Sequence, residues 1–148
     1  MDDGEWLVRA AALFDLPRPA QFGNARHCCE CAEHEATLQR QDPRGIGLEE
    51  LGSPAWDPLC YCSDEAFRYF FPALVRLALD PHDECYYLDQ LLFHLCWDGP
   101  GNVRVRAFTT DERRFVHDFL CHLLDSRAEQ IERMGDADAL LQAIDIWR

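Results

Sequence analysis

Apolar residues recur three or four positions apart along most of this sequence, which is the spacing of one face of an α-helix. The pattern is clearest after Ser63 and again after Thr109. Strict alternation, which would indicate a strand, is confined to Val103–Arg106, and one strand alone cannot form a sheet. We therefore predict a mainly α protein, an irregular bundle of about six helices with at most one short extended segment.

Residues with defined roles at helix ends mark several helix boundaries. Ser63 is a good N-cap, and Thr109 with Glu112 forms a capping-box pattern. Asp80, which is followed by a proline, is a further candidate N-cap. Pro72 falls inside an apolar stripe, so we expect the helix there to kink or split.

One long segment has no helical pattern. Residues 41–62 contain three prolines and three glycines. They are predicted to form a Pro/Gly-rich loop, with one turn of helix at Leu48–Leu51. Loops of this length in a compact domain are often functional.

The length and composition indicate one globular domain. With 148 residues, 48% of them hydrophobic, the chain is predicted to be a single α-helical domain over residues 1–148. The amino terminus has neither the basic start nor the apolar run of a secretory signal, and no apolar run approaches a membrane span. We therefore expect a cytosolic protein whose eight cysteines are reduced thiols or metal ligands.

The chain is strongly acidic. Its formal net charge is −13, and the acidic residues are spread evenly over both halves of the sequence. A uniformly negative surface repels phosphate backbones, which argues against nucleic-acid binding. The charge favours a protein partner with a basic surface, or else it serves solubility alone.

Cysteine and histidine are most concentrated in the run His27-Cys28-Cys29-Glu30-Cys31. The run starts a predicted helix over residues 25–39 whose apolar face is thin. Zinc prefers thiolate sulfur and imidazole nitrogen, and a Cys-x2-Cys pair such as Cys28 and Cys31 supplies half of a zinc site. The loop offers a Cys-x-Cys pair, Cys60 and Cys62, for the second half.

Helical geometry limits which histidines can join such a site. At a rise of about 1.5 Å per residue, His27 and His34 would lie about 10 Å apart along one helix. Both cannot comfortably bind one ion. A site would therefore use His27 with Cys31, or Cys28 with Cys31 at a frayed helix start, together with ligands from elsewhere. The predicted metal ligands are some of His27, Cys28, Cys31, Cys60 and Cys62.

The same residues allow other interpretations. Cys28 and Cys31 could be small buried hydrophobes, as cysteines outside disulfides usually are. A Cys-x2-Cys pair at a helix start also supports redox chemistry, although that motif normally lies in a βαβ context. Nucleophilic catalysis by cysteine needs an oriented base and an oxyanion site, and nothing in the sequence marks either. His117 and Cys121, four residues apart, are interpreted as part of a solvated polar face.

Three stretches of the sequence resemble the motifs of a known protein family. They are the run His27–Cys31, the stretch Ser63–Leu74 and the amphipathic stretch Thr110–Leu124. Together they resemble a family of small uncharacterised bacterial cytosolic proteins with a His-Cys-x-Glu-Cys start, a Ser-x-Glu-Ala-Phe-x-Tyr-x-x-Pro helix and a late amphipathic helix. The likeness would cover about residues 22–147. It implies a bacterial, helical, cytosolic protein without a transferable activity, and it favours Glu30 as an informative residue beside His27, Cys28 and Cys31.

Two functions from different classes follow. The one we favour is a non-enzymatic acidic protein-binding module, a regulator or inhibitor that engages a basic protein partner. It rests on the net charge of −13 and on the absence of an assembled catalytic motif. The alternative is a zinc-binding protein, structural or catalytic, that uses the His/Cys cluster at residues 27–34. Neither a nucleic acid nor a membrane is an expected partner.

Overall fold

The computed structural model describes all residues from Met1 to Arg148. The chain is mainly helical and has no sheet, which confirms the predicted class. The only β-type pairing is an isolated antiparallel bridge between Gly23 and Cys62. None of the helices combines the length and the apolar character that crossing a bilayer requires.

Nine α-helices are present, so the predicted count of about six is wrong. The three additional helices are short segments of four to six residues. The nine helices are α1 (Asp3–Leu13), α2 (Cys29–Gln39), α3 (Leu48–Leu51), α4 (Asp64–Ala78), α5 (Leu88–Cys96), α6 (Val103–Ala107), α7 (Thr110–Ser126), α8 (Ala128–Arg133) and α9 (Ala137–Ile146). Single turns of 3₁₀ helix lie at Pro54–Trp56, Pro58–Cys60, Asp83–Cys85 and Gly99–Gly101.

The chain divides into two compact units, Met1–Leu77 and Ala78–Arg148. Each unit has its own buried apolar residues. The expectation of one domain over residues 1–148 stays a prediction.

The core of the first unit forms on the apolar face of α4. Phe67, Phe70 and Leu74 on that face are fully buried. The ring of Phe14, just after α1, packs 4.9 Å from the ring of Phe71. The stripe of apolar residues seen in the sequence is therefore the stripe that α4 buries.

Pro72 lies inside α4 without dividing it. The helix runs unbroken from Asp64 to Ala78, so the expected split does not occur. A proline in a helix interior removes one hydrogen bond and costs about 3 kcal/mol. Phe71 and Ala73, the neighbours of Pro72, are fully buried, and burial of this length of helix offsets that cost.

The Pro/Gly-rich loop of residues 41–62 is folded into short helical turns. One of them is α3, at the predicted position, and two 3₁₀ turns follow it. Arg76 on α4 donates hydrogen bonds to the carbonyl oxygens of Pro43 and Ile46 at 3.2 and 2.6 Å. Ile46 and Leu51 are fully buried. The loop is thus fixed both by a guanidinium group and by its own apolar residues.

In the second unit, α9 packs against both α5 and α7. Trp147, which follows α9, is buried and donates its indole N–H to the Leu95 carbonyl at 2.9 Å. The capping box predicted for Thr109 and Glu112 is present at the start of α7. This helix ends at Ser126, and the single non-helical residue Arg127 separates it from α8.

Two local predictions in this unit are wrong. The segment Val103–Arg106 is helical, because the Asn102 side chain accepts a hydrogen bond from the Arg104 backbone N–H at 2.9 Å and caps α6. No α-helix begins at Asp80, whose carboxylate accepts the backbone N–H of His82 at 3.0 Å. A hydrogen-bonded turn therefore replaces the expected helix start.

Candidate metal centre

His27, Cys28 and Cys31 come together at the start of α2. One nitrogen and two sulfur atoms from these residues all lie within 4.8 Å of one another. The sulfur of Cys31 lies 3.5 Å from Nδ1 of His27. Cys60 and Cys62, the two predicted ligands in the loop, are not members of this group.

The position of Cys28 explains how the group forms. The helix predicted over residues 25–39 begins only at Cys29, so its predicted start is wrong. Cys28 is the N-cap, with extended φ and ψ angles of −165° and 174°, and its sulfur accepts the Cys31 backbone N–H at 3.4 Å. An N-cap side chain folds back over the first turn in this way. The sulfur of Cys28 is therefore held beside that of Cys31.

The two thiols of the group differ in pKa. A hydrogen bond from the Cys31 backbone N–H, followed by one with the His27 side chain, lowers the pKa of Cys28 to about 7. The side-chain hydrogen bond with Cys28, followed by desolvation, raises the pKa of Cys31. Near pH 7 Cys28 is therefore about half ionised, whereas Cys31 stays mainly a thiol. A thiolate is the form of cysteine that binds metal.

Two sulfur atoms and one imidazole nitrogen suit zinc or a softer cation. Magnesium and calcium prefer oxygen ligands and fit this donor set poorly. His27 and Cys28 are exposed and Cys31 is partly exposed, so a fourth ligand can reach the ion from solvent. Zinc sites with three protein ligands and one open position take water or a substrate there.

Polar contacts hold most of α2 in place. The helix buries only His34 and Leu38, in agreement with the thin apolar face of the sequence. The Glu35 carboxylate accepts the Phe22 backbone N–H, at 2.9 and 3.1 Å for its two oxygens. The Gln39 amide donates to a backbone carbonyl of the segment before α2 at 3.0 Å. The helix that carries the group is thus anchored through its hydrogen bonds to residues 20–23.

His34 is buried near the group but is not a member of it. Only 4% of its surface is exposed, and its ring lies 4.5 Å from that of Trp56 and 6.3 Å from that of Tyr61. Its Nε2 atom is 3.7 Å from the Glu30 carboxylate, and its Nδ1 atom has no hydrogen-bond partner. The aromatic contacts give His34 a packing role, consistent with the geometric argument that it cannot share an ion with His27.

A small cavity adjoins His34, with a volume of about 10 Å³, and Cys31 and Cys62 also line it. A space of this size holds about one water molecule. The Cys62 thiol donates to the Leu59 carbonyl at 3.3 Å. Cys31 therefore contributes both to the group and to the cavity wall, whereas Cys62 reaches only the cavity. Cys60 lies in a 3₁₀ turn, is not a member of the group and does not line the cavity.

A second His/Cys pair lies on α7. Nδ1 of His117 is 3.1 Å from the Asp118 carboxylate, and its Nε2 is 4.0 Å from the sulfur of Cys121. Desolvation, followed by the charges of Asp118 and Asp125, raises the pKa of the Cys121 thiol. A thiol kept protonated is a weak nucleophile. The spacing of four residues predicts the contact, but the electrostatics do not favour catalysis there.

No family model matches the chain, and no match is found among curated proteins or solved structures. The resemblance to bacterial proteins with a His-Cys-x-Glu-Cys start therefore stays a prediction.

Proposed function

We propose that this chain is a cytosolic protein that binds one zinc ion through His27, Cys28 and Cys31. The observation that carries this proposal is the convergence of two sulfur atoms and one imidazole nitrogen within 4.8 Å at the start of α2. Tetrahedral zinc with bonds of about 2.0–2.3 Å separates neighbouring ligand atoms by roughly 3.5 Å. The distance of 3.5 Å between the Cys31 sulfur and Nδ1 of His27 already suits such a site.

Zinc binding at this group releases protons. Cys28 is partly ionised near neutral pH, so the proton that zinc must displace at that pH comes mainly from Cys31, whose pKa is raised. Metal affinity that depends on thiol ionisation increases as the pH rises. The open fourth position is the place where water, a substrate group or a partner side chain would bind.

Zinc titration of the reduced protein against a competing chelator tests the proposal. We expect one zinc ion per chain, and an affinity reduced about tenfold or more in the variants His27→Ala and Cys31→Ser. Cys29→Ser is the matched control, because Cys29 is exposed in the same helix turn but lies outside the group. Equal zinc affinities in Cys29→Ser and Cys31→Ser would contradict the proposal.

A second candidate function, binding of a basic protein partner, is supported by a surface of the second unit. Phe93 and Trp97 are 51% and 58% exposed, and their rings pack 5.3 Å apart. Residues 78–148 contain 14 acidic residues against 7 arginines. Exposed aromatic residues are enriched at binding hot spots, and a partner's arginine can stack on such rings.

A pull-down from lysate at low salt, repeated at high salt, tests this second candidate. We expect the wild-type protein to retain a partner that high salt releases, and a Phe93→Ala/Trp97→Ala variant to lose it. Val8→Ala is the control, since Val8 is a 70% exposed apolar residue in the first unit. The candidate fails if no partner is salt-sensitive, or if the double variant retains the same partner.

A further inference from the structure

The two sulfur atoms of the group differ in their access to other molecules. Cys28 is exposed and precedes α2, whereas Cys31 lies in the first turn of the helix and is only partly exposed. Thiol–disulfide exchange requires the attacking sulfur to reach a disulfide of another molecule. The outer sulfur, on Cys28, can meet such a disulfide, and the inner sulfur, on Cys31, is placed to meet Cys28.

The two sulfur atoms are also close enough to bond without unfolding the helix. They lie within 4.8 Å of each other, and the Cys28 sulfur already accepts the Cys31 backbone N–H at 3.4 Å. A disulfide requires a sulfur–sulfur distance of about 2.05 Å. Because Cys28 is outside α2, rotation of the two side chains can bring the two sulfur atoms to this distance while the hydrogen bonds of the helix stay intact.

We infer that Cys28 and Cys31 form a dithiol that reduces disulfide substrates by thiol–disulfide exchange. Cys28 loses its proton, and its sulfur attacks one sulfur of the substrate disulfide. A bond forms between Cys28 and that sulfur, the substrate bond breaks, and the first substrate thiolate leaves and takes up the proton that Cys28 lost. This mixed disulfide is the intermediate of the reaction.

Cys31 then completes the exchange. After losing its proton, its sulfur attacks the sulfur of Cys28, the mixed disulfide breaks, and the second substrate thiolate leaves and takes up that proton. In the overall reaction, two protein thiols and one substrate disulfide are converted into one Cys28–Cys31 disulfide and two substrate thiols. Two molecules of a thiol reductant of the glutathione type then reduce the Cys28–Cys31 disulfide to two thiols and leave as one oxidised disulfide.

This inference does not depend on zinc binding. Zinc would occupy the same two sulfur atoms and would block the exchange, so a chelator is kept in every reaction. The exchange assay and the zinc titration therefore test two separate proposals. A negative result for zinc binding does not contradict disulfide exchange, and a negative result for disulfide exchange does not contradict zinc binding.

Reaction of the reduced full-length chain with oxidised glutathione, followed by alkylation and mass spectrometry, tests the inference. We expect wild type and the control Cys29→Ser to form a Cys28–Cys31 disulfide without a lasting glutathione adduct. Cys31→Ser should accumulate glutathione on Cys28, because no second sulfur can release it. Cys28→Ser should form neither product, and its hydroxyl still caps α2, so the helix start is preserved.

Two results would overturn the inference. One is a wild-type protein that gains glutathione on Cys28 and Cys29 alike and forms no Cys28–Cys31 disulfide. The other is a Cys31→Ser variant that retains no more glutathione on Cys28 than wild type does. A far-ultraviolet circular dichroism spectrum of each variant checks that the helices are intact.

Discussion

The sulfur of Cys31 lies 3.5 Å from Nδ1 of His27, although Cys31 is inside α2 and His27 precedes it. Cys28, between them, is the N-cap with extended φ and ψ angles, so His27 lies outside the helix and Cys31 lies in its first turn. The group is thus built by the end of a helix rather than by one of its faces. This arrangement leaves His27 and Cys28 exposed to whatever binds there.

The reactivity of Cys28 should change with pH near neutrality. The Cys31 backbone N–H, followed by the His27 side chain, lowers the pKa of Cys28 to about 7, so the thiolate predominates above that pH. In metal-free protein, the rate of alkylation of Cys28 should therefore reach half of its maximum near pH 7. Mass spectrometry of peptides from samples alkylated at successive pH values measures this rate.

The variant His27→Ala gives the comparison for that pH profile. It removes one of the hydrogen bonds that lower the pKa of Cys28 but leaves the Cys31 backbone N–H in place. The midpoint should move to higher pH without returning to that of an ordinary cysteine, which is about 8.5. An identical midpoint in wild type and His27→Ala would show that His27 does not act on Cys28.

The contact between Glu35 and Phe22 should contribute measurably to stability. Phe22 is fully buried, and its backbone N–H donates to both oxygens of the Glu35 carboxylate. Glu35→Ala should lower the free energy of unfolding by about 1–3 kcal/mol, because a buried donor loses its charged acceptor. Urea denaturation measures the change. The matched control is Glu33→Ala on the exposed side of α2, for which we expect less than about 0.5 kcal/mol.

Asn102 should be a stabilising residue of the second unit. Its side chain is buried, donates to the carbonyl oxygens of His94 and Leu95 at 3.1 Å each, and accepts the Arg104 N–H. Asn102→Ala removes these three hydrogen bonds and should lower the free energy of unfolding by about 2–3 kcal/mol. Thermal or urea denaturation tests this, with the exposed Val103→Ala as control. Equal effects of the two substitutions would contradict the assigned role.

Gly135 should be sensitive to substitution because of its backbone angle. Its φ of 80° lies in the left-handed region, and the Asp136 N–H donates to the Ile131 carbonyl at 3.0 Å across the end of α8. Gly135→Ala should cost about 1–2 kcal/mol of unfolding free energy. Gly101→Ala is the control, because Gly101 is also exposed with open space around it but has no positive φ. Urea denaturation of both variants measures this difference. Equal urea midpoints for Gly135→Ala and Gly101→Ala would contradict the role given to the positive φ of Gly135.

Local signals predicted much of the fold. The apolar stripe on α4 and the capping box of Thr109 and Glu112 were sufficient to place the two longest helices. The sequence did not reveal that Val103–Ala107 is helical, because the alternating pattern there is overridden by the Asn102 cap. Long-range hydrogen bonds, such as that between Glu35 and Phe22, leave no periodic pattern in the sequence.

The candidate site was predictable in part. Residue types and the Cys-x2-Cys spacing pointed to His27, Cys28 and Cys31, which the structure brings together. Cysteine is not a usual N-cap residue, so the start of α2 at Cys29 was not predicted. The proposed second half-site also failed to join the group, because sequence spacing does not show where a loop places Cys60 and Cys62.

Zinc content is the most direct test of the central claim. The chain is produced without an affinity tag that binds metal, in medium supplied with zinc, and is gel-filtered under reducing conditions before elemental analysis. The geometry at His27, Cys28 and Cys31 predicts one zinc ion per chain in wild type and in Cys29→Ser, and little zinc in Cys28→Ser/Cys31→Ser. Wild-type protein with no more zinc than this double variant would contradict the claim.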